Sequence, residues 1–147
     1  MNPGPYYWHG NEPDIHAAYL FNEAGRPDLT QKWVRWILEN KYSTNYEGLD
    51  GNDDAGTLSA WYIFSSLGFY PIAGSDTYQL GAPLFESAEI NLKGEKLKIE
   101  AKNFSPNNLY VTKVWLNGKL LDRKRIKHNE IAGGGVLRFE MASTPGE

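Results

Sequence analysis

Two short segments of the chain concentrate side chains that can bind a cation, transfer a proton or hold a sugar. The first spans residues 8–16 and contains Trp8, His9, Asn11, Glu12 and His16. The second spans residues 50–56 and reads Asp-Gly-Asn-Asp-Asp-Ala-Gly. Each segment precedes a predicted helix, where Asn, Asp and Glu commonly act as caps, and Asp-Gly-Asn is also typical of an exposed turn. Capping or turn formation therefore explains either segment when it is taken alone.

The second segment crowds negative charge. Asp53 and Asp54 are adjacent, Asp50 is close to them, and no basic residue lies between Lys41 and Lys93. Such a cluster is destabilising unless a cation, a shared proton or solvent relieves the repulsion. The sequence therefore predicts a carboxylate cluster without a local counter-ion.

Calcium is the cation that this donor set favours, because carboxylate and amide oxygens suit Ca²⁺ better than zinc. The acidic segment alone does not follow the calcium-loop pattern of an EF-hand, since Ala55 and Trp61 stand where that loop has Gly and Glu. A calcium site would therefore combine the acidic segment with Asn11 and Glu12 of the first segment.

Aromatic side chains next to carboxylates indicate a sugar-binding cleft, because aromatic faces stack on the C–H faces of a pyranose while carboxylates bind its hydroxyls. The candidates are Tyr6, Tyr7, Trp8 and Trp61. The helical spacing of Trp33, Trp36 and Trp61 favours core packing instead. From the residues alone, the first half is a sugar-binding or metal-binding helical unit with a β-rich appendage.

Composition excludes several other classes of protein. The 147 residues include no cysteine, which excludes a disulfide framework, a thiolate metal site and a cysteine nucleophile. The formal charge of -3 argues against nucleic acid as a partner. No apolar run approaches the roughly 20 residues that span a bilayer, and residues 1–5 lack the basic start and apolar stretch of a signal peptide.

Three helices are predicted in the first half. The first begins at Pro13 and ends before Gly25, and the second begins near Asp28, where Gln31 completes a capping box. The third spans residues 55–67. The predicted apolar face of the second helix comprises Leu29, Trp33, Trp36 and Ile37.

The second half has the two-residue period of β-strands. Predicted strands cover residues 77–80, 88–92, 97–101, 109–116, 126–131 and 136–141. Asn117-Gly118 predicts a hairpin turn, and the segments together predict an antiparallel sheet or sandwich. Residues 1–70 carry 4 basic and 9 acidic side chains, whereas residues 71–147 carry 11 and 9. We therefore place a boundary between a helical unit, 1–70, and a β-rich unit, 71–147.

Several motifs resemble those of the family 92 glycoside hydrolases. They are His-Gly-Asn-Glu-Pro at 9–13 with His16, Gly-Leu-Asp-Gly-Asn-Asp-Asp-Ala-Gly at 48–56, Leu-Ser-Ala-Trp-Tyr-Ile-Phe-Ser at 58–65, and Gly-Phe-Tyr-Pro at 68–71. The resemblance covers residues from about 8 to about 92. The β-rich remainder is compatible with the C-terminal part of that family.

Family resemblance implies an α+β architecture, with the last helices of an (α/α)6 toroid followed by antiparallel β-sandwich strands. It also implies an inverting, calcium-dependent exo-α-mannosidase acting on mannose-containing glycans. Inverting enzymes use a general base to activate water and a general acid to protonate the departing oxygen.

Transferred residue by residue, the resemblance makes Asp54 the first choice for the base, with Asp53 as its helper or alternative. Trp8, His9 and Glu12 would bind the sugar. The metal ligands would be Asn11, Glu12, Asp53 and His16, with Ca²⁺ as the ion.

Relatives in the family are several times longer, and their catalytic acid lies in an upstream Glu-Gly-Asn motif that residues 1–9 do not contain. The chain therefore resembles a C-terminal piece that is inactive alone and that self-associates through helix faces left uncovered. The resemblance also implies export from a bacterial cell. The alternative is a non-catalytic carbohydrate-binding or interaction module.

Overall fold

The structure, a computed structural model, describes residues 7–146. Its α-helices are α1 (Leu20–Glu23), α2 (Pro27–Asn40), α3 (Thr57–Ser66) and α4 (His128–Ile131). Its strands are β1 (Phe69–Pro71), β2 (Thr77–Leu80), β3 (Ser87–Asn91), β4 (Lys96–Lys102), β5 (Tyr110–Leu116), β6 (Lys119–Leu120), β7 (Arg125–Lys127) and β8 (Gly135–Ala142). Within these residues, no helix is long and apolar enough to cross a membrane.

The prediction of one continuous first helix is wrong. The segment instead forms two 3-10 turns, Glu12–Asp14 and Ala17–Tyr19, which lead into the short α1. The carbonyl of Ile15 accepts a hydrogen bond from Trp61 Nε1 at 2.8 Å. The Ile15 carbonyl is thus bonded to a side chain of α3. The segment after it turns through hydrogen bonds between residues i and i+3, such as the bond from the Tyr19 N–H to the His16 carbonyl.

The predicted capping box of the second helix is also wrong. The Asp28 carboxylate accepts two hydrogen bonds from the Arg26 guanidinium, at 2.9 and 2.8 Å. Gln31 reaches across to the sheet instead, where its Oε1 accepts the backbone N–H of Val111 at 3.1 Å. The buried residues of α2 are Thr30, Gln31, Val34, Ile37 and Leu38. Of the predicted apolar face, only Ile37 is therefore buried, and Leu29, Trp33 and Trp36 are half-buried.

The third helix lies within its predicted range, and its Trp61 is fully buried. Trp61 joins a helical hydrophobic cluster that also includes Ile15, Tyr19, Val34 and Leu58. The core assignment of Trp61 is therefore confirmed, and its alternative assignment to an open sugar cleft is wrong.

Two sheets follow the helices. The first has the order β1-β2-β7, and the second has the order β3-β4-β8-β5-β6. The pairing of β4 with β8 is parallel, so the prediction of a purely antiparallel sheet is wrong. The predicted strand 126–131 is a short strand followed by α4, where the Glu130 carboxylate accepts the Lys127 N–H at 2.8 Å and caps the turn.

The predicted hairpin at Asn117-Gly118 is confirmed. The φ angles of Asn117 and Gly118 are 51° and 81°, which is the left-handed pair that a mirror-image turn requires. The turn joins β5 to β6, and Asn117 Oδ1 also accepts the Val136 N–H at 2.8 Å. Mixed α+β architecture is thus confirmed, while the division at residue 70 stays a prediction.

Candidate active site

The two chemically rich segments lie against each other, because Asp50 joins them. Asp50 Oδ2 accepts the backbone N–H of His9 at 3.2 Å, and the Asp50 carbonyl accepts Trp8 Nε1–H at 2.7 Å. A Cβ at Gly10 would lie 2.2 Å from the Asp50 carbonyl oxygen. Glycine is therefore required for this close approach of the two backbones.

Contact between the segments brings the carboxyl groups of Glu12 and Asp54 together at the surface. A hydrogen bond with Glu12, followed by repulsion from the same carboxylate, raises the pKa of Asp54. The same hydrogen bond lowers the pKa of Glu12. The two groups therefore form a water-exposed pair that shares a proton or a cation more readily than it holds two bare negative charges.

Backbone strain coincides with this pair. Asp54, Ala55 and Gly56 have φ angles of 41°, 60° and 88°, so three successive residues are left-handed. A non-glycine residue in this region costs roughly 1–2 kcal/mol. Strain of this kind concentrates at functional sites, where the surrounding structure maintains it.

Asp53 and Asp54 have different environments. Both oxygens of Asp53 accept hydrogen bonds from Ser59, from its backbone N–H at 2.8 Å and from its hydroxyl at 2.7 Å. These bonds lower the pKa of Asp53. Asp53 therefore caps the first turn of α3, whereas the carboxylate of Asp54 faces Glu12.

The prediction of an acidic cluster without a counter-ion is wrong for Asp50. Lys41 Nζ lies 2.9 Å from Asp50 Oδ2, and the Lys41 side chain is only 7% exposed. The hairpin-like turn 42–49 brings these residues together through the bridge between Tyr42 and Leu49. The Asp50 carboxylate is therefore paired with the Lys41 ammonium group while it binds the backbone of the first segment.

His9, a predicted sugar ligand, is fully buried. Its Nδ1 is 2.7 Å from the Tyr7 hydroxyl, and its Nε2 is 2.6 Å from the Tyr42 hydroxyl. Tyr42 in turn donates to the Leu58 carbonyl of α3 at 3.0 Å. Burial lowers the pKa of His9 to about 4 and raises the pKa of Tyr7 and Tyr42. In this position His9 holds the first segment against α3.

The predicted metal ligands Asn11 and His16 differ in which of their polar atoms already form hydrogen bonds. Asn11 Nδ2 donates to Asp14 at 2.8 Å, which leaves the amide oxygen of Asn11 as its donor to a cation. His16 is half-buried and accepts the Tyr19 N–H through its carbonyl at 2.9 Å. Over residues 7–146, no three His, Asp or Glu side chains are grouped so that they could hold a metal ion.

Trp8 is an exposed aromatic residue of the first segment that contacts the acidic segment. Its side chain is 56% exposed, and its indole N–H is fixed by Asp50. Tyr7 is half-buried against His9, and Tyr6 lies outside the described residues. Trp8 therefore offers a fixed, accessible face next to the acidic surface.

Sequence reasoning missed Lys41, Tyr42 and Ser59, which support the site without carrying a recognisable motif. Lys41 precedes the turn 42–49 and Tyr42 begins it, and the pairing of Tyr42 with Leu49 is visible only in three dimensions. Ser59 follows Asp53 by six residues, and that spacing could have indicated a carboxylate reaching into the first turn of a helix.

Comparison with protein families gives a match over residues 2–143 to the glycosyl hydrolase family 92 catalytic domain. A curated relative, described as an uncharacterized secreted glycosidase of Arthroderma benhamiae, is 31% identical over 90% of this chain. The chain spans 18% of that relative's length.

Solved structures give a consistent result. A family GH92 α-mannosidase from Bacteroides thetaiotaomicron, solved in complex with mannoimidazole, is 42% identical with a TM-score of 0.89. A family GH92 inverting mannosidase from the same species is 37% identical with a TM-score of 0.86. In both comparisons 95% of this chain is covered, against 19% of the other chain.

Proposed function

The chain belongs to glycosyl hydrolase family 92, and from this premise we propose that it contributes one side of the active centre of an inverting exo-α-mannosidase. The observation that carries the proposal is the exposed Glu12–Asp54 carboxyl pair, together with the exposed Trp8, whose indole N–H is bonded to Asp50 of the same acidic segment. The mannosidases among the solved relatives support the choice of sugar.

In this proposal Asp54 is the general base. An inverting hydrolase needs a carboxylate that removes a proton from water while the water attacks the anomeric carbon. The raised pKa of Asp54 makes it a better proton acceptor than an ordinary aspartate, provided that it is ionised at the working pH. Asp53 is occupied by Ser59, so its role is to hold the loop.

The general acid comes from outside this chain. The acid and base of inverting glycosidases stand about 6.5–9.5 Å apart, so that water fits between them. Glu12 contacts Asp54 too closely for that role and is assigned to the sugar hydroxyls or the cation. We therefore expect the 147 residues alone to leave α-mannosides intact.

Calcium is proposed on the chemistry of the donors. Glu12 and the Asn11 amide oxygen are hard ligands of the kind that Ca²⁺ takes, and a cation would relieve the repulsion between Glu12 and Asp54. Asp53 and His16 fit less well, since Asp53 already accepts two bonds and histidine nitrogen is a poor calcium ligand. When bound, calcium would supply a positive charge that orients sugar hydroxyls.

The longer protein would place α2 and α3 in an (α/α)6 toroid, and the secreted description of the fungal relative supports an exported enzyme. Mannose-containing glycans are the proposed substrates. The aromatic and amide groups of the site also suit a module that binds sugar without hydrolysing it, and calcium-dependent hydrolysis distinguishes the two.

A binding experiment tests the proposal. Titration of the chain with mannoimidazole, monitored by amide chemical shifts, should perturb residues 8–12 and 53–54. Asp54→Asn should weaken that binding, whereas the matched change Asp76→Asn, at a carboxylate whose side chain is 61% exposed and lies away from the site, should not. Equal effects of the two variants would contradict the assignment of Asp54.

A further inference from the structure

A groove of about 650 Å³ opens beside the acidic loop, between the C-terminal end of α2 and the exposed side of α3. We call it the tyrosine groove, after Tyr42, Tyr46 and Tyr62 in its walls. Sites for small molecules typically occupy about 300–1,000 Å³. The groove is therefore large enough for a ligand of more than one sugar ring.

The lining of the tyrosine groove is aromatic and polar but uncharged. Its polar side chains include Ser43, Thr44 and Asn45, and none of its described lining residues carries a charge. By contrast, a cavity of about 480 Å³ at the start of α2 is lined by Arg26, Asp28 and Lys124, among others. Uncharged hydroxyl and amide groups beside aromatic rings match a neutral carbohydrate, which has hydroxyls along its edges and C–H groups on its faces.

Turn 42–49 is closed by hydrogen bonds between its own residues. The Ser43 N–H donates to the Gly48 carbonyl at 3.0 Å, and the Asn45 N–H donates to Ser43 Oγ at 3.3 Å. A Cβ at Gly48 would lie 2.2 Å from the Ser43 carbonyl oxygen, which shows how tightly the turn is wound. Tyr46 stands at this turn with its surface completely exposed. The Tyr46 ring is therefore fully accessible to a ligand.

The tyrosine groove adjoins the acidic segment through Ser59. Ser59 lines the groove and binds both oxygens of Asp53, which is the neighbour of Asp54. The Tyr42 hydroxyl also contacts His9 of the first segment, although His9 itself is fully buried. Because Asp53 and Asp54 are adjacent in the chain, a saccharide whose terminal residue is held at the Glu12–Asp54 pair can extend toward the wall of the groove at Ser59.

We propose that the tyrosine groove binds the inner sugar residues of an α-mannose oligosaccharide whose terminal residue is held at the Glu12–Asp54 pair. Tyr46 stacks on a pyranose face, and the polar side chains of Ser43, Thr44 and Asn45 bind hydroxyls. This proposal for the groove rests on the proposed function, in which the terminal mannose binds at the Glu12–Asp54 pair.

Amide chemical shifts of the 147-residue chain test the groove. Titration with an α-mannotriose should perturb residues 43–48 as well as residues 8–12 and 53–54, whereas mannose should perturb only the latter two groups. Tyr46→Ala should weaken trisaccharide binding about threefold to tenfold, as expected for loss of one aromatic contact. Phe85→Ala removes another exposed ring, 48% exposed and outside the groove, and should leave affinity unchanged.

The outcomes separate the groove from the proposed function. Perturbation at Glu12 and Asp54 without any at residues 43–48 overturns the groove and leaves the proposed function intact. Perturbation at residues 43–48 without any at the carboxyl pair supports the groove as a sugar site and contradicts the proposed function. Unchanged trisaccharide affinity in Tyr46→Ala, or no perturbation at residues 43–48, overturns the proposal that the groove binds sugar. Either result is expected if the groove is instead a surface that another polypeptide segment covers.

Discussion

Substitutions of the adjacent residues Asp53 and Asp54 should change the stability of the protein in different ways. Asp53→Ala removes the acceptor for two Ser59 donors and should lower the melting temperature by about 2–4 °C. Asp54→Asn removes repulsion from Glu12, and asparagine tolerates the left-handed φ of 41° at this position, so the melting temperature should stay equal or rise. Thermal unfolding in the presence of a chelator compares the two variants. Equal losses would contradict the difference in environment.

Buried His9 makes stability depend on pH. Its pKa of about 4 in the folded protein is below the ordinary value of 6.5, so the unfolded chain binds the proton more tightly. The stabilisation is therefore complete above pH 6.5 and is lost as pH falls toward 4, by up to about 3 kcal/mol. Urea unfolding at pH 7 and pH 4.5 measures this change. His9→Gln should flatten the pH dependence, and an unchanged slope in that variant would rule out His9 as its source.

At the scale of elements, the packing of the two site segments depends on Gly10. Gly10→Ala places a Cβ against the Asp50 carbonyl, an overlap that backbone must move to relieve, and should cost at least about 2 kcal/mol. Gly133→Ala is the matched control, since its Cβ would meet no atom within 4 Å and its φ is not left-handed. Urea unfolding of both variants gives the difference. Similar free energies of unfolding would show that the segments are not closely packed.

Local patterns predicted α3, the hairpin at Asn117-Gly118 and most strands, because those elements follow from periodicity and turn chemistry. Contacts between distant residues decided the rest. Trp61 binds the Ile15 carbonyl between the two 3-10 turns that replace the predicted first helix, and Gln31 binds Val111 rather than capping α2. Glu12 and Asp54 were predicted to meet from their motifs, whereas the support from Lys41 required the path of turn 42–49.

For the molecule as a whole, calcium binding should appear as thermal stabilisation. A ligand that binds only the folded state raises its stability, by about 2.7 kcal/mol when its concentration is 100 times the dissociation constant. Melting curves with millimolar CaCl2 and with EDTA provide the measurement, and Glu12→Gln should abolish the shift. Absence of a shift in the unmodified chain would contradict the calcium proposal.

Apolar surface on the helical side predicts self-association of this chain. A cavity of about 310 Å³ is lined by Phe21, Trp33 and Trp36 and has little polar surface, and Leu20 is 52% exposed. Contiguous apolar surface of this kind promotes association. Static light scattering across a concentration series should show mass rising above 16.6 kDa, and Trp33→Lys should reduce the rise. A constant monomer mass would contradict the prediction.

The position of β8 also affects how the chain acquires its structure during synthesis. Among the strands of the five-stranded sheet β8 is synthesised last, yet it lies at the centre of that sheet, between β4 and β5. The β3–β4 and β5–β6 hairpins can each form earlier, but they expose unpaired inner edges until β8 inserts between them. Nascent chains stalled before β8 should therefore recruit chaperones and remain sensitive to protease, and folding of this sheet should be delayed until translation has passed residue 142.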